Sequence, residues 1–186
     1  MPTFLKSLAV AMAVFALALG GCRGDAGDST QAELVAQLEA VDAALEAGDT
    51  EKLVDLSTPD ALIEAMVKSD PTMANMEVGQ AREMIRGMAS AAMAMVEIDD
   101  HEIGTDRIEY FTTPSGAEAA RIPMSMTMSA MGQKIVSSGD MIALRKDGEW
   151  IVISASDANS IAMMRKAFPE LEGVEIEAAS MDMVAE

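Results

Sequence analysis

The segment MSMTMSAM holds methionines at Met124, Met126, Met128 and Met131. The first three alternate along the chain and are called the methionine strip. Thioether sulfur is a soft ligand that selects Cu(I), so accessible methionines could bind that ion. However, alternate residues of a β-strand lie on the same face. Ala120 and Ile122 therefore share the face of the methionine strip, although neither side chain can bind a metal. The pattern therefore favours the buried face of a strand, with an apolar-ligand pocket or a copper site as alternatives, and it leaves Met131 near solvent.

Three further side chains could act as a general acid or base: Asp99, Tyr110 and Asp140. A catalytic base needs hydrogen-bond reach to its proton and a suitable pKa, and spacing alone establishes neither. A solvated strand end around Asp99 and a turn or bulge around Asp140 are the competing interpretations. Met84 and Met88, at helical spacing, join the methionine strip as candidates for lining a ligand pocket.

Metal centres of the common types are disfavoured. His101 is the only histidine, which removes His-rich zinc sites and the usual Ser-His-Asp triad. Cys22 is the only cysteine, so no disulfide can form within one chain. A hard-cation site built from Asp99, Asp100 and Glu102 lacks the spacing and glycine of an EF-hand loop. We therefore predict a hydrated acidic turn there, no metal site and no cofactor.

The chain is strongly acidic, with 31 Asp and Glu against 13 Lys and Arg and a net charge of −18. Binding to a polyanion depends on cationic side chains that release its counterions, so a nucleic-acid partner is excluded. Aromatic residues make up 3% of the chain while methionine occurs 18 times. Methionine must therefore fill much of the core, where its flexible thioether packs irregular gaps.

The first 21 residues have the layout of an export signal. Lys6 precedes an uncharged apolar run from Leu8 to Leu19, which is shorter than the roughly 20 residues that span a bilayer. Leu19, Gly20, Gly21 and Cys22 resemble the lipobox of bacterial lipoproteins.

The lipobox resemblance implies that residues 1–21 are removed and that Cys22 becomes the lipidated first residue. Two or three acyl groups hold such a protein stably at a membrane. Arg23 stands where aspartate would favour retention at the inner membrane in enterobacterial lipoproteins. The expected location is therefore the outer membrane, with the protein facing the periplasm.

Residues 22–30 are small and polar, so we predict that they form a tether. One domain is predicted to follow over residues 31–170. Helical periodicity predicts a first helix capped by Ser29 or Thr30 and further helices over 50–56, 58–67 and 77–96. After Val96 the pattern alternates and predicts strands, including a hairpin at Asp147-Gly148 that pairs Leu144 with Ile151. A helix over 157–167 follows, and the acidic tail 171–186 predicts no element.

Helices first and an antiparallel meander afterwards indicate an α+β fold in which helices cover a curved sheet. This order, with GDTEKLVDLSTPD early and MIALRKDGEWIVISAS late, resembles the NTF2-like superfamily of cone-shaped domains, which includes SnoaL-like and ketosteroid-isomerase-like proteins. A cystatin-like or other α+β sheet is the alternative fold.

These observations favour a non-enzymatic, lipid-anchored binding or envelope-interaction module. Its expected partners are the membrane, through lipid on Cys22, and a small apolar ligand or an envelope protein. The first alternative is an enzyme of isomerase or dehydratase type, which the NTF2-like resemblance implies would carry a buried Asp or Tyr. The second is a methionine-rich, Cu(I)-handling lipoprotein.

Overall fold

The structure, a computed structural model, describes residues 24–184. The predicted signal peptide and Cys22 lie outside the described residues. The chain forms two compact units, Met1–Ala36 and Gln37–Glu186, and the described part of the first is helical. Helix α1 spans Gly24–Glu46, so the predicted helix start at Ser29 or Thr30 is wrong.

The remaining N-terminal helices are α2 (Thr50–Ser57), α3 (Asp60–Ser69) and α4 (Val78–Met93). Helix α2 is capped by Asp49, whose carboxylate accepts a bond from the Lys52 amide at 3.0 Å, one residue before the predicted start. Helix α4 begins with a capping box between Glu77 and Gln80, which satisfies two free backbone donors. Among residues 24–184, no helix has both the length and the apolar character needed to cross a membrane.

The sheet contains six antiparallel strands. They are β1 (Val96–Ile103), β2 (Glu109–Thr112), β3 (Glu118–Ala130), β4 (Gln133–Lys146), β5 (Glu149–Ser154) and β6 (Ser180–Val184). The predicted hairpin is confirmed, since Leu144 pairs with Ile151 and both turn residues, Asp147 and Gly148, have positive φ. Helix α5 (Ala158–Ala167) and a short 3₁₀ helix (Pro169–Leu171) follow β5.

Strands β1 and β2 lie end to end along one side of β3. The first pairs with residues 124–130 of β3 and the second with residues 118–121. Pro123 lies between these two stretches, and its carbonyl accepts a bond from the Gly104 amide at 2.8 Å. Because proline has no amide hydrogen to donate to a neighbouring strand, it explains why the pairing is interrupted here.

Strands β5 and β6 lie end to end along the free side of β4 in the same way. Strand β5 pairs with residues 141–146 and β6 with residues 134–138. Between them the chain leaves the sheet, forms α5 and the 3₁₀ helix, and returns where the Ala179 amide donates to the Ala155 carbonyl at 2.9 Å. The acidic tail, for which the sequence predicts no element, thus supplies a sheet strand.

An apolar core lies between one face of the sheet and helix α5. It joins buried residues of β3, β4 and β5 to α5 and the tail: Ala119, Ile142, Leu144, Ile153, Ala155, Ile161, Met164, Phe168, Leu171 and Val174. The second unit is therefore an α+β fold with N-terminal helices packed on a curled antiparallel half-barrel sheet. This confirms the predicted fold class.

Candidate functional site

Small residues in the centre of the sheet create a groove on the face opposite the core that packs against α5. Residues paired across antiparallel strands point to the same face. Met126 of β3 pairs with Ser137 of β4, which in turn pairs with Met181 of β6. In the neighbouring row Met124 pairs with Gly139. Ser137 and Gly139 have small side chains or none, so they form the floor of the groove between methionines from two strands.

We call this feature the methionine groove. Its volume is about 130 Å³, and its lining includes Met124, Met126, Met128, Met141, Met181, Ser137 and Gly139. Two residues further along β3, Met128 pairs with Ile135, which in turn pairs with Met183. The larger Ile135 side chain fills the space that remains open above Ser137. The floor of the groove is thus formed where the β4 residue is small, at Ser137 and Gly139.

The methionine strip is only partly buried, whereas Ala120 and Ile122 on the same face are fully buried. The strand therefore divides into a packed half and an accessible half. Across the groove, Met181 is 64% exposed. Met131, in the turn after β3, is 94% exposed, which confirms the prediction made for it.

The two helix methionines that were predicted as pocket residues, Met84 and Met88, are not part of the groove lining. Met84 packs against a cluster formed by Ile63, Met73 and Ala81. Met88 is 55% exposed on α4. The methionines that lie close to the strip come from β4 and β6 instead.

Asp140 faces a polar cavity on the opposite side of the sheet. That cavity has a volume of about 410 Å³ and includes Glu102, Arg107, Asp140 and Glu177 in its lining. The Asp140 carboxylate forms an ion pair with the Arg121 guanidinium at 3.3 Å. The carboxylate that was a candidate base is therefore already engaged in an ion pair.

Asp99 and Tyr110 do not join Asp140. Asp99 sits at an irregularity in β1 and accepts a bond from the Ser129 hydroxyl at 2.7 Å. Tyr110 pairs with Ala120, which places it on the face opposite Asp140. Its ring lies 6.3 Å from that of Trp150, and desolvation raises the pKa of the phenol. The three candidate catalytic residues thus lie on three different strands, and Tyr110 and Asp140 are on opposite faces of the sheet.

His101 holds helix α1 to the sheet. Its Nε2 lies 3.0 Å from an Asp42 carboxylate oxygen, and its cross-strand partner in β3 is Met126. Within residues 24–184, no group of three or more His, Cys, Asp or Glu side chains could hold a metal ion.

The sequence analysis missed Met181, the residue that completes the groove. In the stretch SMDMV, methionine alternates with other residues, as it does in the methionine strip. This alternation is the signal that could have identified a strand. Gly139, next to the turn or bulge considered around Asp140, lies within β4. Both residues acquire their role through strand pairing.

Comparison of the chain with protein-family models, with curated protein sequences and with solved structures found no match.

Proposed function

We propose that this chain is a non-enzymatic binding module, anchored by lipid on Cys22 and facing the periplasm, whose ligand is held in the methionine groove. One observation carries the proposal: thioethers from β3 and β6 border a floor made of Ser137 and Gly139. Methionine surfaces suit binding, because flexible, polarisable side chains adapt to the ligand.

The distribution of titratable groups supports binding over catalysis. General acid–base catalysis needs an acid or base that reaches the reacting atom. Asp140 forms an ion pair with Arg121, and Asp99 accepts a hydrogen bond from Ser129. Tyr110 pairs with Ala120, which is six residues from Met126 along β3. Of the described residues that line the groove, Asp140 alone is acidic, and its position in the sheet register directs its side chain to the opposite face, where it pairs with Arg121. An NTF2-like enzyme would instead need one of these acids directed into its pocket.

The anchor is tested by a Cys22→Ser variant expressed in a bacterium with lipoprotein processing. The lipobox resemblance of residues 19–22 predicts that the wild-type protein sediments with membranes and that the variant moves to the soluble periplasmic fraction. Equal recovery of both proteins with the membranes contradicts the anchor. Sucrose-gradient separation of inner and outer membranes then tests the expected location.

Occupancy of the groove is tested by methionine oxidation in intact cells, which requires no knowledge of the ligand. Peroxide converts accessible methionine to the sulfoxide, and mass spectrometry locates the modified residue. Trypsin releases residues 122–134 as one peptide that contains both the methionine strip and Met131. Because Met131 is 94% exposed, it serves as an internal reference for peroxide dose.

We expect Met126 and Met181 to be oxidised more slowly, relative to Met131, in cells than in the purified protein stripped of ligand. A ligand in the groove shields these sulfurs, whereas it leaves Met131 accessible. Identical ratios in cells and in purified protein would show that the groove is empty in the cell and would refute the proposed binding site.

A further inference from the structure

The methionine groove brings thioethers together from two directions. Met126 and Met181 lie in one cross-strand row separated by Ser137, so their Cα atoms are about 9.6 Å apart, twice the strand spacing. Met124 lies one row away on the same face, about 6.7 Å from Met126. The methionine side chain has three rotatable bonds, so all three sulfurs can turn inward above Ser137 and Gly139.

This arrangement removes the main geometric objection to metal binding by the methionine strip. Three thioethers on one straight strand point in parallel and converge poorly on a single ion. Met181 approaches from the other side of a floor without bulky side chains, so that Met124, Met126 and Met181 form a triangle. Gly139 has no side chain and that of Ser137 is small, so neither residue places a bulky group in the space where an ion would lie.

The chemistry of the groove selects among cations. Neutral thioethers are soft ligands that bind Cu(I) in preference to Zn²⁺, Mg²⁺ or Ca²⁺, which favour imidazole, thiolate or oxygen ligands. The groove has access to solvent, since Met181 is 64% exposed. The net charge of −18 further raises the local concentration of cations at the surface.

We propose that the methionine groove binds one soft monovalent cation, Cu(I) or its redox-inert analogue Ag(I), through the sulfurs of Met124, Met126 and Met181. This inference rests on the proposed function, because it names the ligand class of the same groove. No redox step is involved, since the ion is bound and released in one oxidation state.

The test uses the full chain in detergent with Cys22→Ser, so that no free thiol competes for the ion. Competition with a colorimetric Cu(I) chelator under reducing conditions measures affinity and stoichiometry. We expect one Cu(I) bound with sub-micromolar affinity. Replacing Met124, Met126 and Met181 by leucine, which keeps side-chain volume, should weaken binding by about tenfold or more for each sulfur removed.

The matched control replaces Met88, Met95 and Met131, three exposed methionines outside the groove lining, by leucine in the same Cys22→Ser chain. It should bind Cu(I) as tightly as the parent. Equal loss in both triple variants, or absence of binding to the parent, overturns the inference. A second measurement is independent of variant folding: Ag(I) titrated into the parent should shift the methyl NMR signals of Met124, Met126 and Met181 ahead of that of Met131.

The two proposals fail in different ways. If Met126 and Met181 are protected from oxidation in cells but the purified chain binds neither ion, the groove holds an apolar ligand and only the cation inference is lost. If these residues show no protection in cells grown with added copper, the groove is not a binding site under those conditions and the proposed function is lost.

Discussion

Met126 of β3 and Met181 of β6 face each other across Ser137, although the chain between them forms β4, β5, α5 and a 3₁₀ helix. The pairing depends on the return of the tail to the free side of β4. At the point of return, a Cβ placed on Gly139 would lie 2.9 Å from the Cα and Cβ atoms of Ala179. The absence of a side chain at Gly139 is therefore what lets the tail approach.

The first prediction concerns this close contact. We expect Gly139→Ala to displace Ala179 and to weaken the pairing of β6, because the added methyl group meets backbone that cannot easily move. The expected cost is about 1–3 kcal/mol of unfolding free energy. Hydrogen exchange followed by mass spectrometry should show faster exchange in the amides of residues 180–184.

Gly79→Ala is the control for Gly139→Ala. A Cβ at Gly79 meets nothing within 4 Å, so exchange in residues 180–184 should stay at the wild-type rate. Unchanged exchange at residues 180–184 in Gly139→Ala would mean that the tail tolerates a side chain there and that the glycine is not required for its docking.

Local patterns in the sequence predicted the central strands well. The alternation from Ala120 to Ser129 lies within β3, and the Asp147-Gly148 turn fixes the register of β4 with β5. Helices α4 and α5 also lie close to their predicted ranges. These elements are specified by neighbours in the chain, through periodicity, caps and turn conformation.

The groove was not predictable in the same way, because it depends on which strands become neighbours. Strand β6 is five residues long and follows an acidic stretch, so its alternation is too short to stand out. Ser137 and Gly139 have no local signature as a groove floor. Their significance appears only when Met126 and Met181 pair on either side of β4.

The second prediction contrasts two glycines. Gly87 lies within α4, and an added Cβ meets nothing within 4 Å. We expect Gly87→Ala to raise stability by about 0.5–1 kcal/mol, because glycine costs conformational entropy in a helix. Gly48, after α1, has a φ of +63°, so Gly48→Ala should lower stability by about 1 kcal/mol. Thermal unfolding of both variants beside wild type measures the two shifts, and shifts of equal sign would contradict this account.

The third prediction tests the core between the sheet and α5. Phe168 is fully buried between α5 and the 3₁₀ helix, and its amide donates to the Met164 carbonyl at 2.8 Å. Phe168→Ala should cost about 3–5 kcal/mol, which combines lost burial with the cavity left behind. Phe168→Leu, which retains more volume, should cost less than half as much. Urea unfolding measures both costs. A cost below about 1 kcal/mol for Phe168→Ala would show that neighbouring side chains repack to fill the cavity.

The last prediction is a pH dependence at the contact between the β4–β5 hairpin and the 3₁₀ helix. The Lys146 ammonium donates to the Glu170 carboxylate at 2.8 Å, and this hydrogen bond lowers the pKa of Glu170 below its ordinary value of 4.5. A depressed carboxylate pKa stabilises the folded state above the unfolded pKa, and that stabilisation is lost as the pH falls through the folded pKa.

Glu170→Gln should therefore reduce the free energy of unfolding by about 1 kcal/mol at neutral pH. The difference from wild type should shrink as the pH falls below 4.5, since protonated glutamate and glutamine are similar. Urea unfolding across this pH range measures the difference. Glu172→Gln, at an exposed position two residues further along, is the matched control. A difference that stays constant with pH would mean that Glu170 contributes through packing and not through its charge.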